Sequence, residues 1–238
     1  MKPNQYEKSS KKNQIGKMFD SISKEYDLLN RLMTFGSDVK WRKKIVSIAR
    51  KSNPKKILDI ATGTADIAIE LSKIDDSEII GVDISQKMLD VGRNKIDAKK
   101  LSNQIILESG DAEKLVYTDE TFDIVTIGFG VRNFQNLKNG LKESYRVLKN
   151  GGVLIILETS VPQNSIIKYF YLLFSRTFIP LLGLIFSKDK MAYNYLQKSA
   201  EKFPSGKQFK LILEKCDFQN VNIIPQMLGA TSIYVANK

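Results

Sequence analysis

Apolar positions along this chain of 238 residues change their spacing near residue 53 and again near residue 160. Over residues 1–52 they recur at helical spacing, which predicts two helices. The first runs through Ile15, Met18, Phe19 and Ile22, and the second through Trp41, Ile45 and Ile48. Residues 26–36, between them, mix aromatic and polar side chains too closely for a simple linker. From 53 to 160, short apolar runs alternate with amphipathic segments, which predicts a parallel sheet covered by helices.

The individual elements follow from these runs and from the glycines that end them. We predict strands at 56–60, 78–83, 104–109, 122–129 and 152–158, and helices at 65–73, 85–97 and 137–148. A final helix (205–215) and two strands (218–224 and 231–236) end the chain. The expected fold is therefore α/β, a doubly wound and mostly parallel sheet of seven strands. We expect one domain over 1–238, with an N-terminal helical cover (1–52), a core (53–160), an inserted lid (161–204) and a closing helix and hairpin (205–238).

The segment Ile57–Asp66 places a turn of small residues between a buried strand and a helix, and the next strand ends on Asp83. Small residues let backbone N–H groups approach a ligand, and an acid about 20 residues further on can accept both ribose hydroxyls. A dinucleotide site requires three glycines, whereas this turn reads Ala61-x-Gly63-x-Ala65. It resembles motif I of the class I S-adenosylmethionine (AdoMet) methyltransferases. The alternative is a structural turn with an incidental glycine.

Two further loops follow predicted strands at the same edge of the sheet, where open α/β folds bind ligands. Gly110-Asp111-Ala112 follows the third strand. There the acid can accept a hydrogen bond from the exocyclic amine of an adenine, and Ala112 can donate its backbone N–H to the ring. A helix N-cap is the alternative role for Asp111. Phe129-Gly130-Val131-Arg132-Asn133 follows the fourth strand, and a structural turn has no need of the Arg–Asn pair. Glu158 ends the fifth strand at that edge.

Four separated segments resemble the ubiquinone/menaquinone biosynthesis C-methyltransferase family over nearly the full chain. They are Tyr26–Asn30 with Thr34–Gly36 and Trp41-Arg42, then Phe129–Asn133, Arg146–Ser160, and Tyr193–Leu196 with Ser199 and Phe203-Pro204. The resemblance implies AdoMet contacts at Thr64, Asp83, Asp111 and Ala112, and we add Gly63 and Asp59 from the turn and its strand. The chain departs from the family at Thr62 and Ala65 (usually Gly), Asp38 (commonly His) and Gly128 (Ser in some members).

The resemblance implies methyl transfer to a ring carbon of a reduced, prenylated quinone. That carbon becomes nucleophilic when the quinol hydroxyl loses its proton, so a site that stabilises phenolate accelerates the reaction. The chain contains no histidine, and we therefore give this electrostatic role to Arg132, oriented by Asn133. Asp66 or Glu158 would take the proton, directly or through water. Tyr26, Asp27 and Asn30 are expected to cover the site.

Composition excludes several classes of site. The chain has no histidine and one cysteine, Cys216. This composition excludes a zinc site, a disulfide framework and a nucleophile that depends on histidine, and we expect no metal. The net charge of +11 is spread along a lysine-rich chain without an arginine–aromatic stripe, so we expect no nucleic acid partner. The basic run 2–17 is interpreted as a solvated N-terminus. It lacks an apolar secretory segment, and together with Cys216 this favours the cytoplasm.

Ile166–Phe186 is the most apolar stretch of the chain and has the length of a membrane span. Lys168, Arg176 and Pro180 argue against a span, and an ordinary core helix is the other alternative. We interpret the stretch as an amphipathic lid with an apolar channel for a hydrocarbon substrate. The predicted reaction is C-methylation of demethylmenaquinol. The alternatives are the methoxybenzoquinol precursor of ubiquinone, a non-catalytic AdoMet-binding scaffold and an RNA methyltransferase. Contact with the inner face of the membrane and a homodimer are left open.

Overall fold

A continuous sheet of seven strands forms the centre of the computed structural model, which describes residues 1–4, 7–186 and 189–238, without the side chains of 179, 181–186 and 190. The strands are β1 (Lys56–Ile60), β2 (Glu78–Asp83), β3 (Ile105–Ser109), β4 (Phe122–Gly128), β5 (Leu148–Thr159), β6 (Gln219–Gln226) and β7 (Thr231–Asn237). Their order across the sheet is β3-β2-β1-β4-β5-β7-β6. β7 pairs antiparallel with β5 and β6, and the other pairs are parallel. The predicted seven-stranded, mostly parallel α/β fold is confirmed.

Helices cover both faces of this sheet. They are α1 (Lys11–Ile22), α2 (Tyr26–Met33), α3 (Ser37–Ala49), α4 (Asp66–Leu71), α5 (Gln86–Ala98), α6 (Leu137–Val147), α7 (Ser165–Phe186), α8 (Lys190–Lys202) and α9 (Lys207–Glu214). Central strands are buried on both faces, so alternate residues enter two separate cores. In β1, Leu58 and Ile60 pack in one core and Ile57 in the other. This two-sided burial explains why β1 reads as a continuous apolar run.

The N-terminal helices and α8 form a third apolar cluster at the edge where the parallel strands end. Ile15, Ile22 and Leu29 pack there against Tyr193 and Tyr195. The stretch 26–36 that separates the two predicted helices is itself helical as α2, and Gly36 follows it at φ +72°. A left-handed backbone at a glycine lets α3 begin in a new direction. These helices lie over the edge of the sheet at which the site residues were predicted.

Candidate functional site

A small cavity of about 70 Å³ lies at the carboxyl ends of β2, β3 and β4, beneath α1. Three acids, Asp83, Asp111 and Glu113, line it together with Gly110, Ala112 and Gly128. Its remaining walls are largely apolar and come mainly from α1, α5 and the loops after β2 and β4: Ile15, Phe19, Val82, Ile84, Met88, Phe129 and Phe134. Apolar walls combined with acidic side chains suit a nucleoside, because the base packs against apolar surface while the ribose hydroxyls and the exocyclic amine donate to the acids.

Asp83 is fixed by the turn that follows β1. One carboxylate oxygen accepts the N–H of Gly63 at 2.9 Å, and the other accepts the N–H of Ser85 at 2.8 Å. Burial raises the pKa of this carboxyl above its ordinary value, although the backbone N–H groups partly oppose the shift. The turn and the acid that ends β2 are therefore in direct contact, although Gly63 and Asp83 are 20 residues apart in sequence.

Asp111 makes an ion pair that the sequence analysis missed. Lys12 Nζ lies 2.6 Å from its carboxylate, and the neighbouring Lys11 donates to the backbone carbonyls of Arg132 and Phe134. The interpretation of the basic run as a solvated N-terminus is wrong for this part, because Lys11 and Lys12 begin α1 and dock it against the cavity. Burial lowers the pKa of Lys11. The signal in the sequence for this docking was the pair of adjacent lysines at the start of an amphipathic helix.

The turn after β1 has a strained backbone. Ala61, Gly63 and Ala65 all have positive φ, at +54°, +55° and +64°, so two alanines adopt a conformation that favours glycine. The Thr64 hydroxyl donates to Asp27 at 2.6 Å and lines a second cavity rather than the first. Asp59 lines neither cavity.

Instead, Asp59 lies beneath the turn, 1% exposed, and accepts hydroxyl hydrogen bonds from Thr62 and Thr126, both at 2.6 Å. Its position in β1 directs the carboxyl between that turn and the neighbouring strand β4. Burial raises the pKa of Asp59 to about 6. The structure thus places Asp59 as a support for the turn, and its direct contact with the cofactor stays a prediction.

A second cavity of about 200 Å³ adjoins the first, and Tyr26, Gly128 and Phe129 line both. One end is polar and is built by α2, α3 and the start of α4. The other end is mainly apolar and is built by α7, α8 and β5: Leu157, Tyr171, Phe174, Leu196 and Ala200. This composition suits a ligand with a polar head and a hydrocarbon part.

Arg132 and Asn133 lie on different sides of the junction between the cavities. Arg132 lines the second cavity, whereas Asn133 lines the first and accepts a hydrogen bond from the Tyr195 hydroxyl at 3.3 Å. The predicted orientation of Arg132 by Asn133 is not seen as a direct contact. Arg132 Nη1 donates instead to Glu158 at 2.6 Å and to the Phe129 carbonyl at 2.8 Å.

The Arg132–Glu158 pair is almost completely buried, with side chains 8% and 0% exposed. Removal from water lowers the pKa of Arg132, but the Glu158 carboxylate outweighs that effect and the pKa is raised overall. Nε of Arg132 is buried and has no hydrogen-bond partner among the described residues. Glu158 also accepts the backbone N–H of Thr159 at 2.7 Å and does not line either cavity.

A charged cluster, which we define as Asp27, Asp38, Asp66, Arg42 and Lys95, lies at the polar end, and all its members except Lys95 line the second cavity. Arg42 bridges Asp38 at 2.7 Å and Asp66 at 3.0 Å. Lys95 bridges Asp66 and Asp27, the latter at 2.8 Å. The sequence analysis named Asp27 and Asp66 separately and Arg42 as part of a family motif, but it missed Lys95 of α5, which joins Asp27 to Asp66.

Helix α7 presents opposite faces to the second cavity and to solvent. Tyr171 and Phe174 point into the cavity, and burial raises the pKa of Tyr171 to about 12. Ile166, Tyr169, Phe170 and Leu173 are at least half exposed at helical spacing. None of the helices in the described ranges is both long enough and apolar enough to cross a bilayer. Within the same ranges, no group of His, Cys, Asp or Glu side chains could hold a metal ion.

Comparison with known proteins places this geometry among methyltransferases. The model of the ubiE/COQ5 methyltransferase family matches residues 7–238. A demethylmenaquinone methyltransferase of Bacteroides fragilis is 38% identical over 229 residues, 96% of this chain and 94% of the relative. A ubiquinone/menaquinone biosynthesis C-methyltransferase of Geotalea daltonii is 38% identical, over 97% and 98% of the two chains. A solved SAM dependent methyltransferase of Aquifex aeolicus shares the fold, with a TM-score of 0.62, 17% identity and coverage of 91% and 97%.

Proposed function

Because the chain belongs to the ubiE/COQ5 methyltransferase family, we propose that it methylates a ring carbon of demethylmenaquinol in menaquinone biosynthesis, with AdoMet as methyl donor. The relatives of this chain from Bacteroides fragilis and Chlorobaculum parvum carry the name demethylmenaquinone methyltransferase. The methoxybenzoquinol precursor of ubiquinone is the second candidate substrate, supported by the broader name of the Geotalea daltonii relative.

One observation supports the proposal above the others: a largely apolar cavity lined by Asp83 and Asp111 and a cavity with an apolar end meet at Tyr26, Gly128 and Phe129. AdoMet supplies an electrophilic methyl group on a sulfonium. Asp83 and Asp111 would hold its nucleoside in the first cavity, with Ala112 and the Gly63 turn beside them. The quinol ring would lie in the second cavity next to the junction, with its prenyl tail along α7 and α8.

Arg132 is the residue we propose for stabilising the phenolate. Its charge is buried beside the second cavity, where low polarity strengthens its interaction with a developing anion. Glu158 holds the guanidinium through Nη1, and in the part of the chain that the structure describes Nε has no acceptor. Asn133 belongs to the cofactor side and contributes by fixing the loop after β4.

Asp66 is the better of the two predicted proton acceptors. It lines the second cavity with a side chain 33% exposed, whereas Glu158 is fully buried and lines neither cavity. A carboxylate that reaches the cavity can receive a proton directly or through one water. Tyr26 would serve as the wall between the two ligands.

We propose in addition that the chain is cytoplasmic and touches the membrane surface through the exposed row of α7. Ile166, Tyr169, Phe170 and Leu173 would enter the interfacial region, next to the end of the cavity that takes the tail. Replacing both Tyr169 and Phe170 by Ser is expected to reduce co-sedimentation with phosphatidylglycerol vesicles, whereas the exposed Leu211→Ser on α9 is a matched control. The homodimer stays a prediction.

Mass spectrometry of quinones tests the proposed reaction. In a bacterial host that lacks its own enzyme, demethylmenaquinone should accumulate and disappear when this chain is expressed. Conversion of the benzoquinol precursor alone would favour the second candidate. Binding of AdoMet without conversion of either quinol would support the non-catalytic scaffold instead.

A further inference from the structure

A third cavity, of about 1000 Å³, takes no part in the chemistry proposed above. Its lining comes from α7, the end of α8, the start of α9 and the strands β6 and β7. The volume is at the upper end of the range for ligand pockets, about 300–1,000 Å³. Three lysines line it, one from each helix: Lys168, Lys202 and Lys207. All three side chains are exposed, so the cavity is open to solvent.

The charges that line this cavity are mainly positive. None of the three lysines forms an ion pair within the described ranges. Glu201 is the one acid among the described lining residues, and it already accepts from Arg176 and from Gln197. Basic residues outnumber acids only 37 to 26 along the whole chain, so the excess of positive charge is larger here than the composition alone provides. Such a lining favours an anion.

The third cavity shares a wall with the second. Consecutive residues of α7, α8 and β7 line the two cavities in turn, the first of each pair the second cavity and the next residue the third: Tyr171 and Leu172, Ala200 and Glu201, Thr231 and Ser232. An anion held by the lysines would therefore lie beside the apolar end of the second cavity, where we place the tail of the quinol.

Exposed apolar side chains border the third cavity. Lys168 precedes Tyr169, which is 64% exposed in the apolar row of α7, and one residue corresponds to a rotation of about 100° around the helix. The cavity thus lies beside that row. Leu228, 77% exposed, precedes Gly229, which also lines the cavity. Cations next to exposed apolar side chains match the two parts of a phospholipid at a bilayer surface, an anionic headgroup above hydrocarbon.

We propose that the third cavity binds the phosphate headgroup of an anionic phospholipid such as phosphatidylglycerol. Lys168, Lys202 and Lys207 provide the cations, and lysine binds phosphate as a compact point charge on a flexible stem. The inference rests on the membrane contact proposed for α7 and adds an orientation to it. With a headgroup in the third cavity, the apolar end of the second cavity lies next to the lipid that delivers the quinol.

Flotation of the full chain with vesicles tests this site, with phosphatidylglycerol in one vesicle preparation and phosphatidylcholine alone in the other. The triple variant Lys168→Gln, Lys202→Gln, Lys207→Gln should bind phosphatidylglycerol vesicles about 100-fold more weakly, because one lysine near an anionic surface contributes about fivefold. Its binding to phosphatidylcholine vesicles should stay unchanged.

The matched control removes three charges elsewhere: Lys43→Gln, Lys44→Gln and Lys51→Gln. These side chains are exposed and line none of the three cavities. Their loss should weaken phosphatidylglycerol binding by less than about threefold, because salt screens charges held away from the surface.

Equal losses in the two triple variants would indicate general attraction of a basic chain to an anionic surface and would overturn the inference. Unchanged binding of the first variant would do the same. Calorimetry with inorganic phosphate distinguishes a second source of the same chemistry: phosphate binding that the first variant loses, with its vesicle binding intact, would assign the cavity to a free phosphoester instead.

Failure of the proposed membrane contact has a different result. Replacing Tyr169 and Phe170 by Ser would then leave binding to both vesicle compositions unchanged, whereas the lysine variant is read from the difference between the compositions. Neither measurement contains quinol or AdoMet, so failure of the proposed methyl transfer leaves both outcomes unaffected.

Discussion

The Cδ1 methyl of Ile67 fills the space beside Gly128 that any larger residue there would need. A Cβ built on Gly128 lies 2.3 Å from that methyl group, far inside van der Waals contact. Ile67 belongs to α4, and Gly128 ends β4 at the junction of the two cavities. The glycine at this position is thus coupled to the identity of one side chain on a neighbouring helix.

Gly128→Ser, the residue expected in some family members, should destabilise the fold by about 1–3 kcal/mol because it overpacks this contact. Ile67→Val removes only the clashing methyl and should cost about 0.5–1.5 kcal/mol alone. In urea unfolding, the double variant should lose about 1 kcal/mol less free energy of unfolding than the sum of the losses of the two single variants. Ile69→Val on the same helix is the control and should add simply to Gly128→Ser. If the effects of Ile67→Val and Ile69→Val both add simply to that of Gly128→Ser, the coupling between Ile67 and Gly128 is contradicted.

Arg132→Lys should keep a positive charge beside Glu158 but lose the guanidinium fork and its free Nε. We expect kcat to fall about 100-fold at saturating quinol, in the range known for loss of one transition-state donor. The pH–rate profile should also move to higher pH, since a less stabilised phenolate forms only at higher pH. Near wild-type turnover would exclude the electrostatic role.

Arg132→Ala is expected to be less stable than Arg132→Lys by about 3–5 kcal/mol, because the fully buried Glu158 carboxylate loses its cation. Thermal unfolding of the two variants measures this difference. A second replacement, Glu158→Gln, should restore much of the stability of Arg132→Ala without restoring turnover. Recovery of activity in that double variant would mean that Arg132 acts only by holding the fold.

Asp59 should make stability depend on pH in an unusual direction. Its folded-state pKa of about 6 lies above the ordinary value of 3.8, so the folded chain binds this proton more tightly than the unfolded chain. The contribution of Asp59 to stability is therefore complete below pH 4 and is lost as pH rises to 6. The loss is roughly 3 kcal/mol for a shift of that size.

Asp59→Asn removes this titration. Relative to the wild type, the variant should gain roughly 3 kcal/mol between pH 4 and pH 7 in urea unfolding. Asp76→Asn, at a side chain 84% exposed, should show no such trend. A constant difference between Asp59→Asn and the wild type across this pH range would refute the assignment.

Ala65→Gly tests the strain in the turn. Glycine relieves a left-handed alanine, about 1–2 kcal/mol, but gives up a buried methyl group worth about 0.8 kcal/mol, so stability should change by less than about 1 kcal/mol. Ala68→Gly, equally buried in α4 with a helical backbone, lacks the relief and should cost about 2 kcal/mol. Equal losses in thermal unfolding would mean that the turn stores no strain.

The strands of the core could be predicted from the sequence because each buried strand is a short run of apolar residues along the chain. β1 and β2 end at the expected residues since each is an apolar run followed by a small or acidic residue. Helix α2 was not predicted, because its eight residues form barely two helical turns and the spacing of apolar residues over so short a segment does not identify a helix. The Lys12–Asp111 and Lys95–Asp27 pairs join residues 99 and 68 positions apart. Only the packing of α1 and α5 brings them together, and no spacing rule contains that information.

The two cavities have separate covers, α1 above the first and α7 with α8 above the second. Exchange of the nucleoside ligand therefore requires movement of α1 and of the Lys12 contact, whereas exchange of the lipid requires movement at α7 and α8. The two covers are joined in the third apolar cluster, where Ile15 and Ile22 of α1 pack against Tyr193 and Tyr195 of α8. Displacement of α1 for cofactor exchange would therefore also disturb the cover of the lipid cavity.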